Sequence, residues 1–203
     1  MRAWCLLLLA AASATVPDLA CTTGDSALVV EYAIPYYKGS VDCGNLFVKA
    51  DIATRPLVRF AGARADKTYT LLYFSTESHA TLSWPDNVPV AEGDAHNHWV
   101  VANITAAVLL GDGNLTLGGD ELWGDDWPHH GPGPSQPYSF YLMEHDGPTP
   151  APNSSSAAVD CYPSVTQYCT HEEFDAWLGA FAWARVGNNY LTGIFYNDTF
   201  RTA

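Results

Sequence analysis

The chain never sustains an apolar run of helical length within its body. Short stretches of apolar, aromatic and β-branched residues recur instead, each bounded by Gly, Pro, Asn or Asp. Residues 26–32, 46–52, 69–75, 98–104 and 138–143 follow this pattern. Runs of about 4–8 residues with such borders fit strands, so the expectation is a mainly β domain. One helix is expected near the C-terminus, where Phe174, Trp177, Leu178 and Phe181 recur at the spacing of one buried face. Thr170 and Glu173 supply a capping box for it and Gly187 a stop. Two stretches rich in Gly, Pro, Asp and Ser, 111–137 and 146–164, read as loops.

The first residues read as an address rather than as structure. Arg2, the apolar run 3–11 and the small residues Ala12-Ser13-Ala14 form a secretory signal with its cleavage site, which leaves 15–203 as one mature domain. No later stretch reaches the roughly 18 apolar residues of a membrane span, so a secreted protein is expected. Cys5 leaves with the leader, and Cys21, Cys43, Cys161 and Cys169 remain in a compartment where disulfides form. Four cysteines allow three pairings. Cys21–Cys43 with Cys161–Cys169 is favoured because both loops are local, and a link from the N-terminal segment to the late loop stays open. Sequons at Asn103, Asn114, Asn153 and Asn197 agree with a secretory route; Asn103, inside a strand run, is the least accessible.

The 203 residues carry 22 acidic side chains against nine Lys and Arg, a formal charge of −13. A nucleic-acid backbone would be approached against this field, so that partner class is excluded. Between Lys67 and Arg185 there is no Lys or Arg, while all seven His fall there. A pocket built from this stretch alone would hold no permanent cation.

The order of motifs resembles the phosphatidylethanolamine-binding protein family, which includes the Raf kinase inhibitor proteins. The resemblance is carried by Val41-Asp42-Cys43-Gly44-Asn45, Pro56-Leu57-Val58-Arg59-Phe60, Tyr69-Thr70-Leu71-Leu72, His98-Trp99-Val100-Val101-Ala102-Asn103-Ile104, Gly131-Pro132, Tyr138 and Gly193-Ile194-Phe195-Tyr196. The most specific is a His opening an apolar strand that ends in Asn-Ile. The resemblance implies a β-sandwich with a large central sheet, a C-terminal helix, and a small pocket for a phosphate-like headgroup. In the family that pocket uses an Asp-Pro-Asp-x-Pro turn, the strand His, a Gly-Pro loop and a Gly-x-His-Arg segment. Here the turn reads Ser75-Thr76-Glu77-Ser78-His79, and Gln136-Pro137 stand where the second His and the Arg would be. Ser75 carries no charge with which to hold His98 as a cation.

The resemblance therefore implies a ligand site at Ser75, Glu77, His98, Gly131, Pro132, Gln136 and Tyr138 with no cofactor and no catalytic turnover. Its partner would be a small molecule or phospholipid headgroup, and the pocket is expected to be either degenerate or retuned to a neutral or cationic ligand. The bland alternatives are a hydrogen-bonded core histidine for His98, a solvated carboxylate for Glu77 and a core aromatic for Tyr138. Two other classes compete. His96 and His98 on one strand, with His129, His130, Asp125 and Asp126, could form a zinc site. Trp123, Trp127 and Pro128 in the acidic loop could anchor an extracellular protein partner or an inhibited protease. Hydrolysis is not expected, since there is no Gly-x-Ser-x-Gly elbow and Ser75 near His79 has no evident third partner.

Overall fold

A computed structural model of the chain describes residues 21–24, 27–34, 37–52, 54–76, 81–82, 89–90, 95–124, 136–148, 168–169 and 184–194. The expected leader, the helix around Phe174–Phe181, Cys161, and the sequons at Asn153 and Asn197 lie outside these residues. Strands β1 (Leu28–Ile34), β2 (Tyr37–Ser40) and β4 (Leu57–Phe60) form a small antiparallel sheet in the order β2-β1-β4. A larger sheet runs β11-β8-β5-β10-β12-β3, built from β3 (Leu46–Val48), β5 (Thr68–Thr76), β8 (Ala95–Thr105), β10 (Gln136–His145), β11 (Tyr168–Cys169) and β12 (Ala184–Ile194). β9 (Asp120–Gly124) adds to β8, and β6 (Thr81–Leu82) pairs with β7 (Pro89–Val90).

The core lies between the two sheets. Tyr69, Leu71 and Tyr73 of β5, Phe140 and Leu142 of β10, and Trp99 and Val101 of β8 meet Leu28, Val30 and Tyr32 of β1. Each fully buried Leu, Val or Phe contributes roughly 1.5–3 kcal/mol relative to exposure. The alternate residues Thr70, Leu72, Phe74, Val100, Ser139 and Tyr141 are buried too. Burial on both faces explains why these strands read as continuous apolar runs instead of alternating ones.

Several expectations change in detail. The run 46–52 is a strand only to Val48, because Lys49–Ile52 turns into a 3-10 helix. The expected loop 111–137 contains secondary structure. A short helix α1 (Ala106–Leu110) leads through Gly111–Asn114 to α2 (Leu115–Gly118) and then to β9, so Trp123 belongs to a strand, paired with Val100. Gly187, expected to stop a helix, lies inside β12 opposite Leu142. A Cβ there would stand 3.3 Å from the Leu28 Cβ, so glycine lets β12 approach β1 closely.

Cys21 and Cys43 form a disulfide with Cα atoms 5.8 Å apart. Beside it Asn189, 9% exposed, satisfies its whole amide. Its Nδ2 donates to the carbonyls of Leu28 (2.9 Å) and Val41 (3.0 Å), and its Oδ1 accepts from the amides of Cys43 (3.2 Å) and Tyr190 (2.8 Å). One side chain thus ties β1, the β2–β3 turn and β12 together. Where β5 begins and β10 ends, polar pairs close the sheet. His145 Nε2 contacts Thr70 Oγ1 at 3.0 Å and its Nδ1 the Gly147 carbonyl at 3.1 Å. Arg64 pairs with Glu144, and Lys67 with Asp146.

Candidate functional site

β5 and β8 run antiparallel with Tyr73 opposite Trp99 and Phe74 opposite Asn97. His98 is therefore an extra residue, a β-bulge. In a regular strand His98 and Trp99 would point to opposite faces; the bulge lets both serve the inner one. Trp99 joins the core. The His98 ring faces Ser75, whose Oγ lies 2.8 Å from His98 Nε2, and the two residues are 1% and 2% exposed. Tyr138 is in register with Ser75 on the other side, on β10. Its ring centroid is 5.2 Å from that of His98 and stacks at 15° on Tyr73, 5.8 Å away. Tyr73 itself lies 5.6 Å from His98 and 4.1 Å from Phe140. Three adjacent strands thus bring Ser75, His98 and Tyr138 to one point, with tyrosine rings walling the imidazole.

Below this group stands Tyr32, from the opposing sheet. Burial pushes its phenol far up, and the Tyr73 hydroxyl and the Arg55 charge offset this only in part. Arg55 comes from the segment before β4. Its guanidinium stands 5.5 Å from the Trp99 ring centroid and reaches Glu121 through Nε and Nη2, each at 3.3 Å. Glu121 Oε2 also accepts from the Trp99 indole at 2.7 Å. A pocket from 68–184 alone would lack a cation, but tertiary folding places Arg55 beside this stretch, already paired with a carboxylate.

Of the expected site, the structure brings Ser75, His98 and Tyr138 together. Gln136 opens β10 opposite Gly193. Glu77, Gly131 and Pro132 lie outside the described residues, as do His129, His130, Asp125, Asp126, Trp127 and Pro128. His96 stands opposite Ser75 in register. Among the described residues no group of three His, Cys, Asp or Glu is placed to hold a metal. The hydrogen bond gives Ser75 a histidine partner, His98; His79 lies outside the described residues. At 1% exposure the hydroxyl is placed to orient the imidazole. Sequence reading missed Tyr73, whose strand parity with Ser75 could have signalled it. It also missed Tyr32, Arg55 and Glu121, which have no local signal.

No protein-family model matches the chain, and no curated protein matches it by sequence. Solved structures do. The phosphatidylethanolamine-binding protein of Plasmodium vivax aligns with a TM-score of 0.55 at 15% identity, covering 84% of this chain and 85% of that one. The fold is that of the phosphatidylethanolamine-binding proteins. The corresponding Plasmodium falciparum protein gives a TM-score of 0.55 at 13% identity, over 82% and 84% of the two chains. A carboxypeptidase Y inhibitor, solved in complex with its cognate proteinase, gives 0.55 at 14% identity over 83% of each. Within this phosphatidylethanolamine-binding fold the Ser75–His98–Tyr138 group occupies neighbouring central strands of the large sheet. Among the described residues no helix is long and apolar enough to cross a membrane.

Proposed function

We propose that this chain is a secreted binding protein of phosphatidylethanolamine-binding type, which holds a small polar ligand of headgroup size without turning it over. The observation that supports this reading is the meeting of Ser75, His98 and Tyr138, three polar side chains from three different strands, buried together. Burying such groups is unfavourable unless they are partnered, so a cluster of them in a β core suits a recognition site. In this reading His98 donates to the ligand, Ser75 and Gln136 orient it, Tyr138 stacks against it, Glu77 accepts at its rim, and Gly131 and Pro132 shape the wall. Secretion, with removal of 1–14 and glycosylation of some of the four sequons, belongs to the same proposal and is supported by the Cys21–Cys43 disulfide.

The test is native mass spectrometry of the deglycosylated mature protein with two probes, O-phosphorylethanolamine and N-acetylethanolamine, and His98→Ala as the control. Binding of at least one probe, abolished by His98→Ala, is the expected result. If neither probe binds, the reading is wrong. A second reading, an extracellular protein-binding or protease-inhibiting role, is favoured by the likeness to an inhibitor solved on its proteinase. Inhibition of a carboxypeptidase panel at micromolar protein would support it.

A further inference from the structure

Two of the four sequons fall on described residues, and the fold holds their side-chain amides differently. Asn103 lies inside β8, which pairs with β5 on one side and β9 on the other. Its backbone takes a φ of 53°, and its Nδ2 donates to the Asp120 carboxylate at 2.6 Å. Asn114 lies outside the sheets, in the turn between α1 and α2. Its Oδ1 accepts from the hydroxyl of Thr116, the residue that completes the sequon, at 2.9 Å, and its backbone amide donates to Asp112 at 3.0 Å. The carboxamide is thus held by its oxygen, and among the described residues nothing accepts from its Nδ2. Leu117 is 84% exposed, more than any other large apolar side chain among the described residues. It stands three residues after Asn114, and its amide donates to the Asn114 carbonyl, a spacing that makes the two side chains neighbours.

We propose that Asn114, and not Asn103, carries an N-linked glycan in the mature protein, and that the innermost sugar of this glycan lies over Leu117. The proposal rests on the secretion reading above and names the modified residue.

The transfer joins Asn114 Nδ2 to the anomeric carbon of an oligosaccharide activated as a lipid-linked diphosphate. The bond from that carbon to the diphosphate oxygen breaks, the lipid diphosphate leaves with the electron pair, and one amide proton passes to a base of the transferase. Nothing is oxidised or reduced. A glycan is bulky and belongs on the surface, so the fold selects between sequons by what it accommodates. On Asn114 a substituted Nδ2 keeps the Thr116 contact, because that contact uses Oδ1. On Asn103 a sugar would compete with the Asp120 carboxylate for the same nitrogen, in a strand flanked on both sides. The apolar face of a pyranose ring on Asn114 removes Leu117 from water, which favours that placement.

The experiment expresses the full chain in a eukaryotic secretory host and treats digests of medium and lysate with peptide N-glycosidase in heavy-oxygen water, which converts each glycan-bearing Asn to a labelled Asp. No Lys or Arg lies between Lys67 and Arg185, so chymotrypsin is used to separate the two sequons. Label at Asn114 with none at Asn103 is expected. Secreted protein labelled at Asn103, or unlabelled at Asn114, would overturn the inference and leave the secretion reading standing. Protein confined to the lysate with 1–14 still attached would overturn both. The place of the sugar is read by sedimentation at high salt, where the charge of −13 is screened. Thr116→Ala, which removes this sequon alone, should shift towards larger species with an unchanged circular-dichroism spectrum, and Leu117→Ser added to it should reverse the shift. Unshifted sedimentation of Thr116→Ala, or association that Leu117→Ser does not relieve, would overturn the placement over Leu117.

Discussion

Ser75 illustrates how much one neutral side chain decides. Its hydroxyl keeps the 2.8 Å contact that orients His98 but brings no charge. The missing charge was legible in the chain, because Ser75-Thr76-Glu77-Ser78-His79 is read directly from the sequence. The hydrogen bond was not, since the two partners are 23 residues apart. His145 is a second buried histidine with a consequence of its own. Burial lowers its pKa below the usual 6.5, while the Gly147 carbonyl and Asp146 act in the opposite direction. The unfolded chain therefore takes up this proton at higher pH than the folded one. The contribution is fully present above about pH 6.5 and is lost as pH falls through the folded value. Urea midpoints measured from pH 7.5 to 5 should fall, and His145→Gln should flatten part of that slope. An identical slope in the variant would refute the assignment.

Elements were easier to find than their edges and irregularities. Four of the five expected strand runs are strands for most of their length, and the fifth, 46–52, is one to Val48, because β-branched and aromatic residues between Gly and Pro leave few alternatives. The bulges were invisible, since an extra residue depends on what the partner strand offers. Asn103 shows this. It lies in a strand run as expected, yet takes a positive φ of 53° at a second slip of β8 against β5, and its side chain donates to Asp120 at 2.6 Å. Asn is among the residues that tolerate this conformation. The turn between α1 and α2 is equally specific. Gly113 has φ of 73°, a Cβ there would fall 2.6 Å from the Val58 carbonyl oxygen, and its own carbonyl accepts from the Val58 amide at 2.9 Å. Gly113→Ala is expected to destabilise the protein by at least about 1 kcal/mol, through backbone strain and loss of that bond. Equilibrium urea unfolding with an unchanged midpoint would contradict this.

For the whole molecule, the disulfide and Asn189 do the joining that a strongly acidic chain needs, because a charge of −13 opposes compaction. The Cys21–Cys43 bridge spans a sequence separation of 22, so replacing both residues by Ser should cost about 3 kcal/mol on chain-entropy grounds. Thermal melts of the double variant should shift down, and reductant should shift wild type by more than it shifts the variant. A variant that melts with wild type would show that Asn189 alone holds this corner. The sequence by itself determined the strand content, the net charge, and the β architecture implied by its motif order. These follow from local periodicity, residue type and charge, which are properties of neighbours along the chain. Only the tertiary structure decided that His98 sits on a bulge, that Ser75 is its partner, that Tyr32 of the other sheet comes close to Tyr73, and that Arg55 arrives already paired. Each of these depends on register between strands and on the approach of two sheets, and long-range contacts of that kind leave no trace in local spacing.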